Sequence, residues 1–259
     1  MMNIITPIFI YKNISLFLLL SLFSVFAYSI TPTQPTISII IDDIGYKKNE
    51  DIRALSLPGP IAYAILPHAP YTKKMVSIAS KNMKEILLHQ PMQATKKNKL
   101  LGPGALTLDM TKKEFIKTLE INIDNVSNII GINNHMGSLL TRHPGHMQWL
   151  MTVIKKNNYV YIDSLTSASS VAERIAKKND VPFLSRDIFL DNENNKEHIK
   201  SKFLELIEIA KKQGTALAIG HPYSNTIETL SKFLEDLDMY GVKLIGVKSL
   251  IKKRINIDN

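Results

Sequence analysis

From Ile37 onward the chain alternates short, predominantly apolar runs with amphipathic segments, and this alternation restricts the fold more than any other feature. The apolar runs fall at 37–41, 61–66, 85–88, 129–133, 159–162, 188–190, 215–219 and 242–247. They are rich in Ile, Val, Tyr and Leu and mostly lack apolar–polar alternation, as strands buried on both faces do in a parallel sheet. Helices are expected between them. Thr111 with Glu114 three residues on is a capping box, followed by an apolar face of Phe115, Leu119, Ile123 and Val126. Pro144 opens a second helix with Met147, Leu150, Met151 and Ile154 inward. A third is expected from about Ser167, and a fifth from about Asn225. The fourth carries Phe203, Leu206, Ile207 and Ala210 and stops at Gly214. Repeated strand–helix units of this length suit a small α/β barrel with parallel strands better than an open sheet.

The amino terminus is a different object. Residues 14–27, ISLFLLLSLFSVFA, form an apolar run after Lys12, with small residues at Ala27 and Ser29 and a Pro-containing stretch to Pro35. This is the pattern of an export signal spanning 1–29 with a linker at 30–36. The run is short of the roughly 20 residues of a membrane span, although residues 4–10 lengthen it, so both cleavage and retention as an inner-membrane anchor are open. Export, to the periplasm, is the expectation, with membrane contact only through this segment.

The chain has 259 residues and no cysteine, which excludes disulfides, thiolate metal sites and a cysteine nucleophile. Its formal net charge is +9, but the lysines occur as scattered pairs such as Lys47-Lys48 and Lys211-Lys212. No basic stretch is interleaved with stacking aromatics, so nucleic acid is not an expected partner.

The polar residues fall where chemistry is expected. Asp42 and Asp43 follow the first run, His68 the second and His89 the third. Asn133, Asn134 and His135 close the fourth, Asp163 and Ser164 the fifth. Arg186 and Asp187 open the sixth, Asp191 ends it, and His221 follows the seventh. In a parallel barrel all these ends share one face, where catalytic groups sit. Five of the seven histidines (His68, His89, His135, His143 and His221) lie at or near that rim. Imidazole with carboxylate and no thiolate suits zinc, cobalt, nickel or iron. Asp163 and Asp187 either orient a ligand histidine or cap helices. His143, His146 and His198 read as surface or cap residues.

Together the motifs ISIIIDDIG, AILPHAPY, EILLHQPM, GINNHMGS, YIDSLTS, VPFLSRDIFLD and AIGHPY, in this order, resemble the divergent polysaccharide deacetylase family, a branch of the chitooligosaccharide-deacetylase-like superfamily. The resemblance runs from about Ile37 to Lys252, leaving 253–259 as a basic tail. It implies a deformed (β/α) barrel of about seven parallel strands. It also implies Asp42 as general base, Asp43 and His89 as metal ligands and His221 as general acid. Where the superfamily has a second ligand histidine this chain has Gln93, a poor ligand, and His135 is the expected substitute. The superfamily's arginine has no clear counterpart, and Arg186 is the candidate for orienting the base.

Two functions follow as expectations. The first is an exported, metal-dependent N-deacetylase of an acetylated amino-sugar polymer or oligomer, with water activated by one divalent metal, zinc foremost, as nucleophile. Asn134, Asp163, Arg186, Asp187, His68 and Tyr223 are its supporting or substrate-binding residues. The second is a catalytically silent envelope glycan-binding or regulatory protein on the same fold.

Overall fold

The computed structural model describes residues 34–257, without the side chains of 256 and 257. The expected export signal therefore lies outside the described residues. Among those described, no helix is long and apolar enough to cross a membrane. In chain order the strands are β1 (Thr36–Ile44), β2 (Ala62–Ile65), β3 (Glu85–Met92), β4 (Gly131–Met136), β5 (Val160–Asp163), β6 (Phe183–Ser185), β7 (Ile188–Phe189), β8 (Thr215–Gly220) and β9 (Lys243–Leu244). The helices are α1 (Lys48–Leu55), α2 (Thr72–Lys81), α3 (Lys112–Asn125), α4 (Pro144–Lys156), α5 (Ala172–Lys178), α6 (Lys196–Gln213), α7 (Ser224–Glu235) and α8 (Val247–Ile257).

Eight strands lie in the order β6-β5-β4-β3-β2-β1-β8-β7, all neighbours parallel, with β9 pairing the start of β1. The strands at the two ends of that order, β6 and β7, are separated in the chain by Arg186 and Asp187 alone. The sheet therefore curls until its edges approach. The backbone N–H of Arg186 donates to Asp163 O at 3.0 Å on one side, and that of Asp187 to Leu217 O at 2.9 Å on the other. The result is a parallel, curled half-barrel, as the deformed barrel reading expects.

The apolar runs are buried on both sides, for two different reasons. Ile37, Ile39 and Ile41 pack outward with residues of the surrounding helices, among them Leu55, Met75 and Phe203. Ile40, Ala62, Ala64, Leu87, Ile162, Leu184, Leu217 and Ile219 form a separate cluster with Val247, Leu250 and Ile251 of α8. Successive side chains on a strand point to opposite faces, so the two sets interleave along each strand. Each fully buried Ile or Leu contributes about 1.5–3 kcal/mol, and the two polar residues of β1 before Asp42, Thr36 and Ser38, are buried with their hydroxyls donating to the carbonyls of Gly214 and Ile245.

Several local expectations hold, and others change. The Thr111–Glu114 capping box is formed in both directions, and Gly214 is left-handed at the end of α6 (φ +81°). The helix expected from Ser167 starts only at Ala172, because Ser170 and Leu165 are drawn into bonds with Asp163. The run at 242–247 is a two-residue strand followed by α8, which carries on across 253–257, the start of the expected tail. The helices α1 and α2 and the strand β6 have no counterpart among the expected elements, although α2 buries a helical face of Thr72, Met75, Val76 and Ala79.

Candidate active site

The two-residue period that fills the core also builds the site. On four strands the last inward apolar residue is followed, two positions on, by a polar one: Ile40 by Asp42, Leu87 by His89, Ile162 by Ser164 and Ile219 by His221. On β4 the same period carries Asn133 and His135. The inner face thus changes from core to site within one residue pair at the carboxyl end of every strand concerned.

Asp43 breaks the period and still reaches the site. Between Ile41 and Ile44 the register of β1 against β2 shifts, and Asp43 sits at φ +59°. A bulge with a left-handed non-glycine residue is uncommon and costs on the order of 1–3 kcal/mol, a cost usually met at functional positions. Here it turns two adjacent carboxylates toward one cavity. Asp51 fastens the loop that follows, accepting from Gly45 N at 2.9 Å and Lys47 N at 3.1 Å.

Asp43, His89 and His135 bring their ligand atoms together. His135 Nδ1 lies 2.9 Å and His89 Nε2 3.0 Å from Asp43 Oδ1, and the two imidazole nitrogens are 3.2 Å apart. A tetrahedral centre with bonds of 2.0–2.1 Å spaces its ligand atoms by roughly 3.3 Å. Donor types and spacing therefore fit one divalent metal. Gln93 is no part of this group. Its Oε1 accepts from Leu108 N at 2.8 Å, so it holds the 93–111 connection instead.

Asp42 and His221 lie on either side of the group. Asp42 is buried, accepts from Asn133 Nδ2 at 2.7 Å and has Oδ2 3.8 Å from His89 Nε2. Burial pushes its pKa up, against the pull of His89 and His221. Asp43 is held well below the usual carboxylate range, because hydrogen bonds from His135 and His89 overcome the effect of burial. Burial lowers the pKa of His89, but the charge of Asp42 and the bond to Asp43 raise it further, for a net upward shift.

His221 Nε2 is 3.9 Å from Asp43 Oδ2, and its other face is fixed by Asp191. The Asp191 carboxylate accepts from the ring Nδ1 at 2.8 Å, from His221 N at 2.6 Å and from Thr226 Oγ1 at 2.8 Å. Burial lowers the His221 pKa, but these bonds with the charges of Asp191, Asp43 and Asp42 raise it to about 9. Its ring lies between Phe189 and Tyr223, at 6.0 and 5.5 Å. Asp42, Asp43, His89, His135, Phe189 and His221 open on a cavity of about 480 Å³ that Tyr46, Lys47, Asn134, Ser164 and Tyr223 also line.

The rim is less crowded with histidine than the sequence suggests. Three of the five rim histidines, His89, His135 and His221, line the cavity. His68 faces α3, bonding Asn122 Oδ1 at 2.8 Å and Asn125 Nδ2 at 3.1 Å. His143 pairs with His146, which is buried between Phe115 and Trp149 rather than on the surface. Arg186 is engaged away from Asp42: its guanidinium donates to Ser164 O and Leu165 O and stacks on Phe189. Asp187 bonds Leu217 N and Arg254, tying α8 to β8. Asp163 neither orients a histidine nor caps a helix: it accepts from Leu165 N and Ser170 Oγ in the turn after β5, and the N-cap of α5 is Val171, with no side-chain cap bond. Asn134 lines the cavity while accepting from Ser164 N at 2.9 Å. Two residues absent from the sequence-based site, Asp191 and Asn133, are its main hydrogen-bond supports. The strand period was the available signal for Asn133, which shares a face with His135 where Asn134 does not.

A family model described as divergent polysaccharide deacetylase matches residues 39–251. An uncharacterized protein of Haemophilus influenzae is 37% identical over 217 residues, 84% of this chain and 77% of the relative. The uncharacterized protein YibQ of Escherichia coli is 31% identical over 84% of this chain and 67% of its own length. The fold is similar to that of an uncharacterized Agrobacterium tumefaciens protein (TM-score 0.80, 23% identity, 84% of this chain and 89% of that one). It is also similar to that of a CE4 family pseudoenzyme from Bacillus anthracis (TM-score 0.51, 11% identity, 85% and 66%). With its motifs in family order and nearly the whole described region matched, the chain belongs to the divergent polysaccharide deacetylase family.

Proposed function

We propose that this chain is an exported, metal-dependent hydrolase that removes the acetyl group from an acetylated amino sugar of the cell envelope. The observation that carries this reading is the placement of Asp42 and His221, a carboxylate and an imidazolium, beside the three-ligand group of Asp43, His89 and His135. A divalent ion held there, zinc on the preference of a His/Asp donor set for tetrahedral coordination, supplies Lewis-acid activation of water and of the acetyl carbonyl. Asp42 takes the proton of the attacking water. His221, charged at neutral pH and steadied by Asp191, gives its proton to the nitrogen as the C–N bond breaks, leaving acetate and a free amine. Lys47 and Tyr223 at the cavity wall are suited to holding the sugar. The apolar run at 14–27 supports a periplasmic location, cleaved or anchored.

A second reading is a silent envelope glycan-binding protein. It is favoured by Gln93, engaged with Leu108 where the superfamily has a ligand, and by the likeness of the fold to a CE4 pseudoenzyme. One experiment separates the two. The mature protein, supplied with zinc, cobalt or nickel, is incubated with defined N-acetylglucosamine oligomers and acetate is measured. Acetate release that vanishes in Asp43→Ala together with bound metal supports the hydrolase. Oligomer binding without acetate under every metal supports the silent relative, and one equivalent of metal retained by Asp43→Ala overturns the ligand assignment.

A further inference from the structure

We propose that Asn133 is a positioning residue that serves the metal ligand His89 and the base Asp42 with a single carboxamide. This rests on the metal-site reading above and goes beyond it. Asn133 is fully buried on β4 and is the register partner of His89 on β3, so the two side chains stand side by side on the inner face. Its carboxamide has one acceptor and two donors, and both ends are engaged. Nδ2 meets Asp42 Oδ1 at 2.7 Å and Oδ1 meets His89 Nδ1 at 2.9 Å, while Ser164 Oγ lies 3.5 Å from Nδ2.

The chemistry of the partners fixes the direction of each bond. An ionised carboxylate only accepts, so the amide atom facing Asp42 is the nitrogen. The oxygen then faces His89 Nδ1, which must carry its hydrogen. The proton that His89 gives up on binding a metal is therefore that of Nε2, the atom directed at Asp43 and His135. One side chain thus selects the ligand tautomer of His89 and holds the base about one hydrogen bond away from it. Arg186, which bonds to backbone carbonyls, does not do this work.

The two ends of the amide are separable by substitution. Asn133→Leu keeps the volume and removes both bonds. Asn133→Asp keeps an acceptor for His89 Nδ1–H and sets a second carboxyl against Asp42, so that the two share one proton and Asp42 is no longer free to take another. Zinc affinity is measured by chelator competition and ligand geometry by the visible spectrum of the cobalt-loaded protein, with thermal unfolding as the control for folding. Asn133→Leu is expected to lose about 10–100-fold in zinc affinity and to change the cobalt spectrum, as loss of a histidine's hydrogen-bond partner does. Asn133→Asp is expected to keep both near wild type. On any N-acetylglucosamine oligomer from which the wild type releases acetate, Asn133→Asp should be as impaired as Asp42→Asn.

Wild-type affinity and spectrum in Asn133→Leu would overturn the proposal while leaving the metal site standing. Equal loss in both variants would overturn it too, by reducing Asn133 to a packing residue. If Asn133→Leu does not fold, Asn133→Ala takes its place: zinc affinity lowered about 10–100-fold beside a near-wild-type Asn133→Asp supports the tautomer role, and affinity kept in Asn133→Ala refutes it. A wild type that takes up neither zinc nor cobalt removes the metal reading and this proposal together.

Discussion

Asp191 accepts three hydrogen bonds, two of them from one residue: the backbone N–H and the ring Nδ1 of His221, at 2.6 and 2.8 Å. This pairing fixes the ring plane of His221, the proposed general acid, and leaves Nε2 on the side of Asp43. Asp191→Asn keeps the size of the side chain and removes its charge. Acetate release is expected to fall by about 10²-fold or more, the usual worth of a positioned acid, with smaller change in substrate affinity. Steady-state kinetics of the variant test this, and an unaltered kcat would separate Asp191 from the chemistry.

The same pair predicts a pH dependence of stability. The folded pKa of His221 is raised to about 9 from an ordinary 6.5. Its stabilising contribution is therefore complete below about pH 6.5 and is lost as pH rises through 9, because the folded state there holds the extra proton. Up to about 3 kcal/mol is involved. Urea unfolding of metal-free wild type and His221→Gln at pH 6 through 9.5 should show the gap between them closing as pH rises. A gap that widens contradicts the assignment.

Metal affinity should follow the ligand group seen in the structure rather than the superfamily pattern. His135→Ala removes one of three ligand atoms and should weaken zinc binding more than about 100-fold, beyond what an outer hydrogen-bond partner is worth. Gln93→His, which restores the superfamily's residue, should leave zinc affinity unchanged, because position 93 is directed at Leu108 N. Loss of that bond should instead cost about 1 kcal/mol of stability. Tighter zinc binding in Gln93→His would show that the 93–111 connection rearranges.

Gly45 follows the bulge that turns Asp43 inward. It adopts φ +133°, and a Cβ there would lie 2.7 Å from the Cβ of Ala69. Gly45→Ala is expected to destabilise the fold by about 1–3 kcal/mol through backbone strain and overlap. It should also weaken metal binding, since Asp43 and Gly45 share one short turn. Denaturant midpoints and zinc titration of the same sample check both effects.

Much of this protein is legible in its sequence because a strand's side chains alternate with a fixed period and parallel strands end on a common face. The apolar runs set the strand positions and the parallel sheet, and the polar residues after them included all three of the group suited to a metal: Asp43, His89 and His135. The capping box at Thr111 and the stop at Gly214 are local chemistry and needed no tertiary partner. What the sequence left open depends on distances between segments. His68 and His89 both follow apolar runs, yet only the latter faces the ligand group, because His68 is claimed by Asn122 and Asn125 from α3. Arg186 and Asp187 look like site residues, but they sit where β6 gives way to β7 and are consumed in closing the curled sheet. Asp191 and Asn133 acquire their roles only when β7 lies against β8 and β4 against β3. Residue type and local spacing thus determined which chemistry the chain carries. The curl of the sheet, and the bulge that brings Asp43 beside Asp42, decided which of those residues meet, since a hydrogen bond or a ligand position is a matter of a few tenths of an ångström that no spacing along the chain encodes.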